Sequence, residues 1–329
     1  MIAEIDALLR ETYALWSGVR VGFSWRHYYL NHTYRIRDLS LSMAEAEGGD
    51  PELLTVAALL HDITKRYDGE ILKGPDGKAV LDEEGFWRNE RVAPDGSNWV
   101  TRLYDELELS GLIHHVSGAV IAERVLEAYG YAAPYRETVA EVIRGHLKPE
   151  SLSEAEMNRR YRLPETRVLY DADTIDPNMG LTALYRNIQI HTGGWLRRGE
   201  TPDLEAYVRS LSRWVPTKDA FIAKLLTEQG REVAAERQRR NRRVCAELEA
   251  ELADFDLNRE YGLLGCIEYL MGDAHDPSLH RHANGLRESW LPAREAALAD
   301  EKSPEGPAES LARARAFIAL LEAEIAGEG

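Results

Sequence analysis

A histidine and an aspartate stand side by side at the end of an apolar run in "AALLHDITKRYDGE", Ala57 to Glu70, and a lysine follows three residues later. A protein interior normally excludes both side chains, so their place at the end of a buried helix asks for a cause. His32 lies on the apolar face of its own segment, His146 shares a face with Val139, Val142 and Ile143, and Asp173 falls one turn after Leu169. Separate helices thus each aim an imidazole or a carboxylate at the core. A metal ion supplies a shared reason. Neutral imidazoles and ionised carboxylates are common ligands of Zn, Mn, Fe and Co, and a cation turns a costly buried carboxylate into a favourable one. Taken singly, each histidine is well explained as a hydrogen-bonded core or surface residue; the set is not.

The ordered set His32, His61-Asp62 and Asp173, the last in "LYDADTID", resembles the H…HD…D signature of the HD-domain metal-dependent phosphohydrolase superfamily. "AALLHDITK" is similar to that family's central motif, and the match covers roughly residues 20–195. The resemblance implies an all-α helical bundle in which His32, His61, Asp62 and Asp173 bind one metal. In the binuclear branch two further histidines bind a second metal and the doublet's aspartate bridges both. His114 in "HHVSGAVIAERVL" and His146 in "VIRGHLKPE" occupy the matching places. His114 is preferred to His115 because Gly118 matches the small residue that follows the family histidine by four positions. His115 stays open as a ligand or as a support for one. The implied cofactor is a pair of divalent transition-metal ions, Fe, Mn, Co or Zn.

The chemistry so implied is hydrolysis of a phosphoester or phosphoanhydride bond of a small phosphorylated substrate, a nucleotide. In such a site two cations would acidify a bound water to a hydroxide nucleophile and neutralise the phosphoryl oxygens under attack. Asp62 would hold both metals and orient the hydroxide. Lys65, one turn beyond His61, would bind a phosphate oxygen as a point charge, as the lysine of HD-x-x-K does in similar proteins, or would cap its helix. Arg66, Lys148 and Arg186 are further substrate-binding candidates, Arg35 shares the His32 face, and Asp176 could accept a hydrogen bond from a ligand imidazole. His191 continues the apolar stripe of Leu181, Leu184 and Ile188 and is expected in the core, whereas His275, His280 and His282 are expected in a surface loop. No Gly-Tyr-Pro follows His146, which counts against the cyclic-di-GMP branch. Two other readings keep the same residues: a mixed-valent di-iron oxygenase acting on a small molecule, and a non-catalytic binding or regulatory protein with a structural HD core.

Helices must position these groups. His32, Ile36, Leu39 and Met43 recur at the spacing of one helical face until Gly48-Gly49 stops them; Asp50 as N-cap and Pro51 in the first turn then open the helix that ends near Lys65. Residues 67–112 break the pattern with turn signals at "YDGE", "GPDGK", "DEEG" and "APDGSN", and "EILKGPDGKAVLD" predicts two short strands around a Pro-Asp-Gly turn. This β-hairpin-like insertion starts at the phosphate end of the expected site, so Tyr67, Trp87 and Trp99 are expected to form a lid or a substrate wall. Helical periodicity returns at 114–130, 134–147, 164–177 and 181–191. Beyond Pro216 the composition shifts to Ala, Glu, Arg and Leu, with helices expected at 217–254, 258–272, 285–300 and 307–326. The chain is therefore divided into a metal-binding catalytic domain, 1–215, and a helical C-terminal region, 216–329, expected to support a homo-oligomer or to cover the active site.

Composition sets the outer bounds. The chain has 329 residues, of which 44% are hydrophobic, and no apolar run approaches the roughly 20 residues that span a bilayer. A formal net charge of −16 disfavours a nucleic-acid partner, because that affinity comes largely from lysines and arginines that displace counterions. The one basic run, "RQRRNRR" at 237–243, sits in a helical segment and is expected to be a solvated face or an oligomer contact. Cys245 and Cys266 are expected as free thiols, and the acidic, amphipathic start "MIAEIDALLRETYALW" is unlike a signal peptide, so a cytoplasmic location is expected.

Overall fold

In the computed structural model the chain is described for residues 2–17, 19–20, 23–81, 86–149, 152–272, 277–300 and 305–328. His275 and the "DEEG" turn lie outside the described residues. The chain divides into two units, one made of Met1–Gly18, His32–Asp173 and Leu226–Gly230, the other of Val19–Asn31, Thr174–Leu225 and Arg231–Gly329.

The first unit draws on helices α1 (Ile2–Tyr13), α2 (Leu30–Glu47), α3 (Pro51–Leu60), α4 (Trp99–Glu106), α5 (His114–Ala128), α6 (Ala133–Gly145), α7 (Glu154–Arg160) and α8 (Pro164–Asn178). Its centre is α3. Leu53, Leu54, Val56, Ala57, Ala58, Leu59 and Leu60 are all buried, and a helix with so broad an apolar face is an internal one. Asp50 caps it by accepting from the backbone N–H groups of Glu52 and Leu53, and Pro51 fills the first turn, where its missing N–H costs nothing. α1, α5 and α6 pack against α3. Asp171 of α8 accepts from the backbone of Leu226 and Thr227, both at 2.8 Å, and from the Thr227 hydroxyl at 2.6 Å, so a short distant segment completes this unit.

The expected hairpin is present but paired differently. Gly74 donates to Lys78 across the Pro-Asp-Gly turn, and that ribbon is a single bridge, Lys73 to Ala79. The longer pairing joins Asp68–Ile71 to Asn89–Arg91, antiparallel and with an irregular register. Two-residue strands Val19–Arg20 and Phe23–Ser24 form a second ribbon, Leu81 and Trp87 make an isolated bridge, and the other regular elements among the described residues are helices, which makes the fold all-α.

The second unit contains α9 (Gly180–Arg197), α10 (Leu204–Trp214), α11 (Asp219–Ile222), α12 (Glu228–Glu251), α13 (Phe255–Tyr261), α14 (Leu263–Met271), α15 (Leu279–Gly285), α16 (Leu291–Asp300) and α17 (Glu305–Ile325). A division between 215 and 216 does not describe it. Leu181, Leu184 and Ile188 of α9 and Tyr207 and Leu211 of α10 share one apolar cluster with Leu264, Ile267, Phe317 and Leu321, so 174–225 belong with the C-terminal helices. The basic run is not simply a solvated face: Arg237 is buried and donates to the carbonyls of Glu324 and Glu328, while Arg239 and Arg240 pair with Glu236. Cys245 and Cys266 are buried free thiols. Among the described residues no helix is long and apolar enough to cross a membrane.

The packing that brings α6 to α8 depends on Gly145. A Cβ there would stand 2.1 Å from Cγ2 of Thr166, a fully buried β-branched side chain with little freedom to yield. Gly145→Ala is therefore expected to destabilise the protein by about 1–3 kcal/mol, read as a lower urea midpoint at unchanged slope. An unchanged midpoint would mean that the α6–α8 approach relaxes freely.

Candidate metal centre

Two of the candidate histidines are built alike. His61 ends α3 and His146 ends α6, and each ring folds back so that Nδ1–H donates at 2.6 Å to a carbonyl three residues earlier, that of Ala58 or Ile143. The proton on Nδ1 leaves Nε2 with a lone pair that points past the helix end. His114 is the first residue of α5, and its Nδ1 meets Oδ2 of Asp68 at 2.5 Å. His32, on α2, places Nε2 3.1 Å from Oδ1 of Asp173 on α8. Gly118 lets α5 come close enough: a Cβ there would press on the His61 carbonyl at 3.2 Å and on the Thr64 hydroxyl at 3.3 Å. That hydroxyl is hydrogen bonded to Ser117 at 2.8 Å and donates to the His114 carbonyl at 3.2 Å, tying the end of α3 to the start of α5.

These side chains form two groups, His32 with His61 and Asp173, and Asp62 with His114 and His146, the ligand atoms of each lying within 4.8 Å of one another. Asp62 joins them. Its Oδ2 is 3.8 Å from His32 Nε2 and 3.5 Å from His61 Nε2, and its Oδ1 is 3.6 Å from His114 Nε2 and 3.7 Å from His146 Nε2. These separations are too long for hydrogen bonds. They suit ligands of one cation, since donors bonded at about 2.1 Å at angles of roughly 100–130° stand about 3.2–3.8 Å apart. Among the described residues, Nε2 of His61, His114 and His146 and Oδ1 of Asp62 have no hydrogen-bond partner although all are buried. Leaving one such atom unmet costs about 1–3 kcal/mol, so several converging on one point fit a cation-binding site. The imidazole and carboxylate donors suit Fe, Mn, Co or Zn.

The electrostatics agree. Burial opposes ionisation of Asp62, but His61 and Lys65 beside it hold its carboxyl well below the usual carboxylate range. At Asp173 burial is likewise outweighed, there by Lys65, the hydrogen bond from His32 and the His61 ring. Burial, with the rings of His61 and His114 adding to it, pushes His146 down to about 3, so this imidazole is neutral and able to ligate at any moderate pH.

Lys65 donates to Asp62 Oδ2 at 2.7 Å, and its side chain is 25% exposed. His115 stands outside both groups: it is buried with neither ring nitrogen hydrogen bonded, and it packs against Phe86 of the insertion at 4.3 Å. Arg35 and Arg66 are buried, and Lys148 is half-buried two residues beyond His146. Arg186 and Asp176 belong to the second unit; Asp176 is buried there and its carbonyl accepts from Thr182. His191, also in that unit, is half-buried with its ring edge-on to Tyr207 at 5.4 Å. His282 is not in a surface loop: it lies on α15, buried and hydrogen bonded to Tyr185 at 2.9 Å, because the loop expected there folds into a helix capped by Ser278. His280 is half-buried on the same helix. The aromatic wall is corrected too. Tyr67 is buried, stacked on Tyr104 at 3.7 Å and edge-on to Trp16, and Trp99 packs near Tyr129, which leaves Trp87 as the exposed member. Sequence reasoning missed Asp68; its only signal was a carboxylate placed just after the doublet's lysine, within a segment of weak periodicity.

Burial also pushes His115 down to about 2, with His146 and His114 adding to the effect. An unfolded histidine titrates near 6.5, so a neutral buried one adds stability that is complete above about pH 6.5 and is lost as the pH falls toward its folded value. One such histidine accounts for about 2 kcal/mol between pH 7 and pH 5. In urea unfolding of metal-free protein, His115→Leu is expected to lose about 2 kcal/mol less than the wild type over that interval. Equal losses would mean that His115 takes up its proton without penalty.

Comparison with known proteins gives three findings. The HD domain matches residues 29–178. No curated protein matches the chain. Among solved structures, a predicted HD superfamily hydrolase from an uncultured Thermotogales bacterium aligns at 20% identity over 77% of this chain and 92% of its own, with a TM-score of 0.39. Bacillus subtilis YpgQ in complex with ADP aligns at 19% identity over 76% and 94%, with a TM-score of 0.39, and another structure of YpgQ at 17% over 76% and 96%, with a TM-score of 0.40. Residues 29–178, the stretch that matches the HD domain, contain every member of the two ligand groups.

Proposed function

We propose that the protein is a metal-dependent phosphohydrolase that cleaves a phosphoester or phosphoanhydride bond of a small phosphorylated substrate, a nucleotide. The observation that carries this reading is the position of Asp62, whose two oxygens each face a separate ligand group. Two divalent cations held by His32, His61, Asp173, His114, His146 and a shared Asp62 would supply an acidified water and neutralise phosphoryl charge. Two carboxylates against two dications leave the loaded site net positive, and the Lys65 ammonium adds to it, so an anionic substrate is attracted despite the chain's net charge of −16. Lys65 keeps Asp62 in place and retains enough exposure to meet a phosphoryl oxygen.

The test is phosphate release from a nucleotide panel by protein reconstituted with Mn²⁺ or Fe²⁺. Asp62→Ala is expected to lose bound metal and to reduce the rate by at least about 10³-fold, whereas Lys65→Ala keeps its metal and loses about 10–10²-fold. No release from folded wild type carrying two metals per chain would overturn the reading and direct attention to O₂ consumption.

A further inference from the structure

His61 and His146 fix their tautomers with carbonyls of the helices they terminate. His114 cannot do so. It opens α5 and has no preceding helical turn to offer a carbonyl, so its acceptor must come from another part of the chain. Asp68 provides it, from the first position of the strand Asp68–Ile71 in the insertion. Oδ2 of Asp68 lies 2.5 Å from Nδ1 of His114 and 3.4 Å from the His114 backbone nitrogen, and the side chain of Asp68 is only 15% exposed. An ionised carboxylate only accepts hydrogen bonds, so Nδ1 carries the proton and Nε2 is left as a lone pair 3.6 Å from Asp62 Oδ1. The strand's pairing across Asp68 and Arg91, and the hydrogen bond from Val92 to the Tyr67 carbonyl, hold the carboxylate's backbone in place.

We propose that Asp68 is a positioning residue for the second metal: by orienting His114 it makes occupancy of the Asp62, His114 and His146 group depend on the insertion. His61 fixes its tautomer within its own helix, so the His32, His61 and Asp173 group is expected to load independently of Asp68. The proposal rests on the two-metal reading above.

Co²⁺ titration of metal-free full-length protein, followed by visible absorption and by metal analysis after desalting, tests it. Wild type is expected to take up two equivalents with distinguishable spectra. Asp68→Ala should keep the first equivalent unchanged and weaken the second by about 10–10²-fold. Asp68→Asn, whose amide oxygen still accepts from Nδ1–H, should recover most of that loss, which a role in folding alone would not produce; matching far-ultraviolet spectra of the metal-free variants control for folding. Two equivalents of wild-type affinity in Asp68→Ala would overturn the proposal, and so would equal weakening of both. A wild type that binds a single equivalent would instead sink the two-metal reading and the proposal with it.

Discussion

The carboxylate of Asp62 is fully buried, and nearly everything in the first unit follows from that burial. A charge in such a place demands compensation on every side. The groups that face it come from α2, α5 and α6, with Lys65 closing one edge, so those helices must converge where α3 ends. The convergence constrains ordinary packing: α3 must carry a broad apolar face to reach the interior, Gly118 must let α5 approach its end, and Gly145 must let α6 approach α8.

Two buried carboxylates of the second unit show what a structural charge looks like by contrast. Glu324 accepts from the backbone N–H of Leu181 and Thr182 at the start of α9, and Glu251 accepts from the N–H of Leu264 at the start of α14 and from the Arg313 guanidinium. Burial raises both above their usual range, and helix N-termini and arginines supply the balancing positive charge. Asp62 is lowered instead, and its Oδ1 has no hydrogen-bond donor among the described residues. Buried acids alone therefore do not mark a site; a buried acid facing lone pairs does.

The sequence made the site's outline visible because imidazoles and carboxylates at the ends of apolar helical runs violate the pattern around them. His61, Asp62 and His146 stand out for that reason, and the helical class follows from the same periodicity. The insertion was harder to read. Its short strands pair across a long sequence gap, so adjacency to Lys65 suggested that Tyr67 and Trp99 face a substrate, whereas both are spent on packing. Asp68 was silent because nothing local to a carboxylate announces a partner 46 residues away. α10 and the interleaved division escaped for a related reason: which helices share a core is a tertiary fact, and composition changes at Pro216 while packing does not.

The anchoring of Leu226 and Thr227 by Asp171 bears on how the polypeptide must be made. As the chain leaves the ribosome, every proposed metal ligand has emerged once Asp173 is out, yet the donors that satisfy the buried carboxylate of Asp171 arrive more than fifty residues later. Until then that carboxylate lacks the Leu226 and Thr227 donors, so the first unit can collapse around its ligands but cannot finish. The composition shift near Pro216 is thus a misleading place to cut, because a fragment ending there would carry every ligand and still lack the segment that closes its own unit.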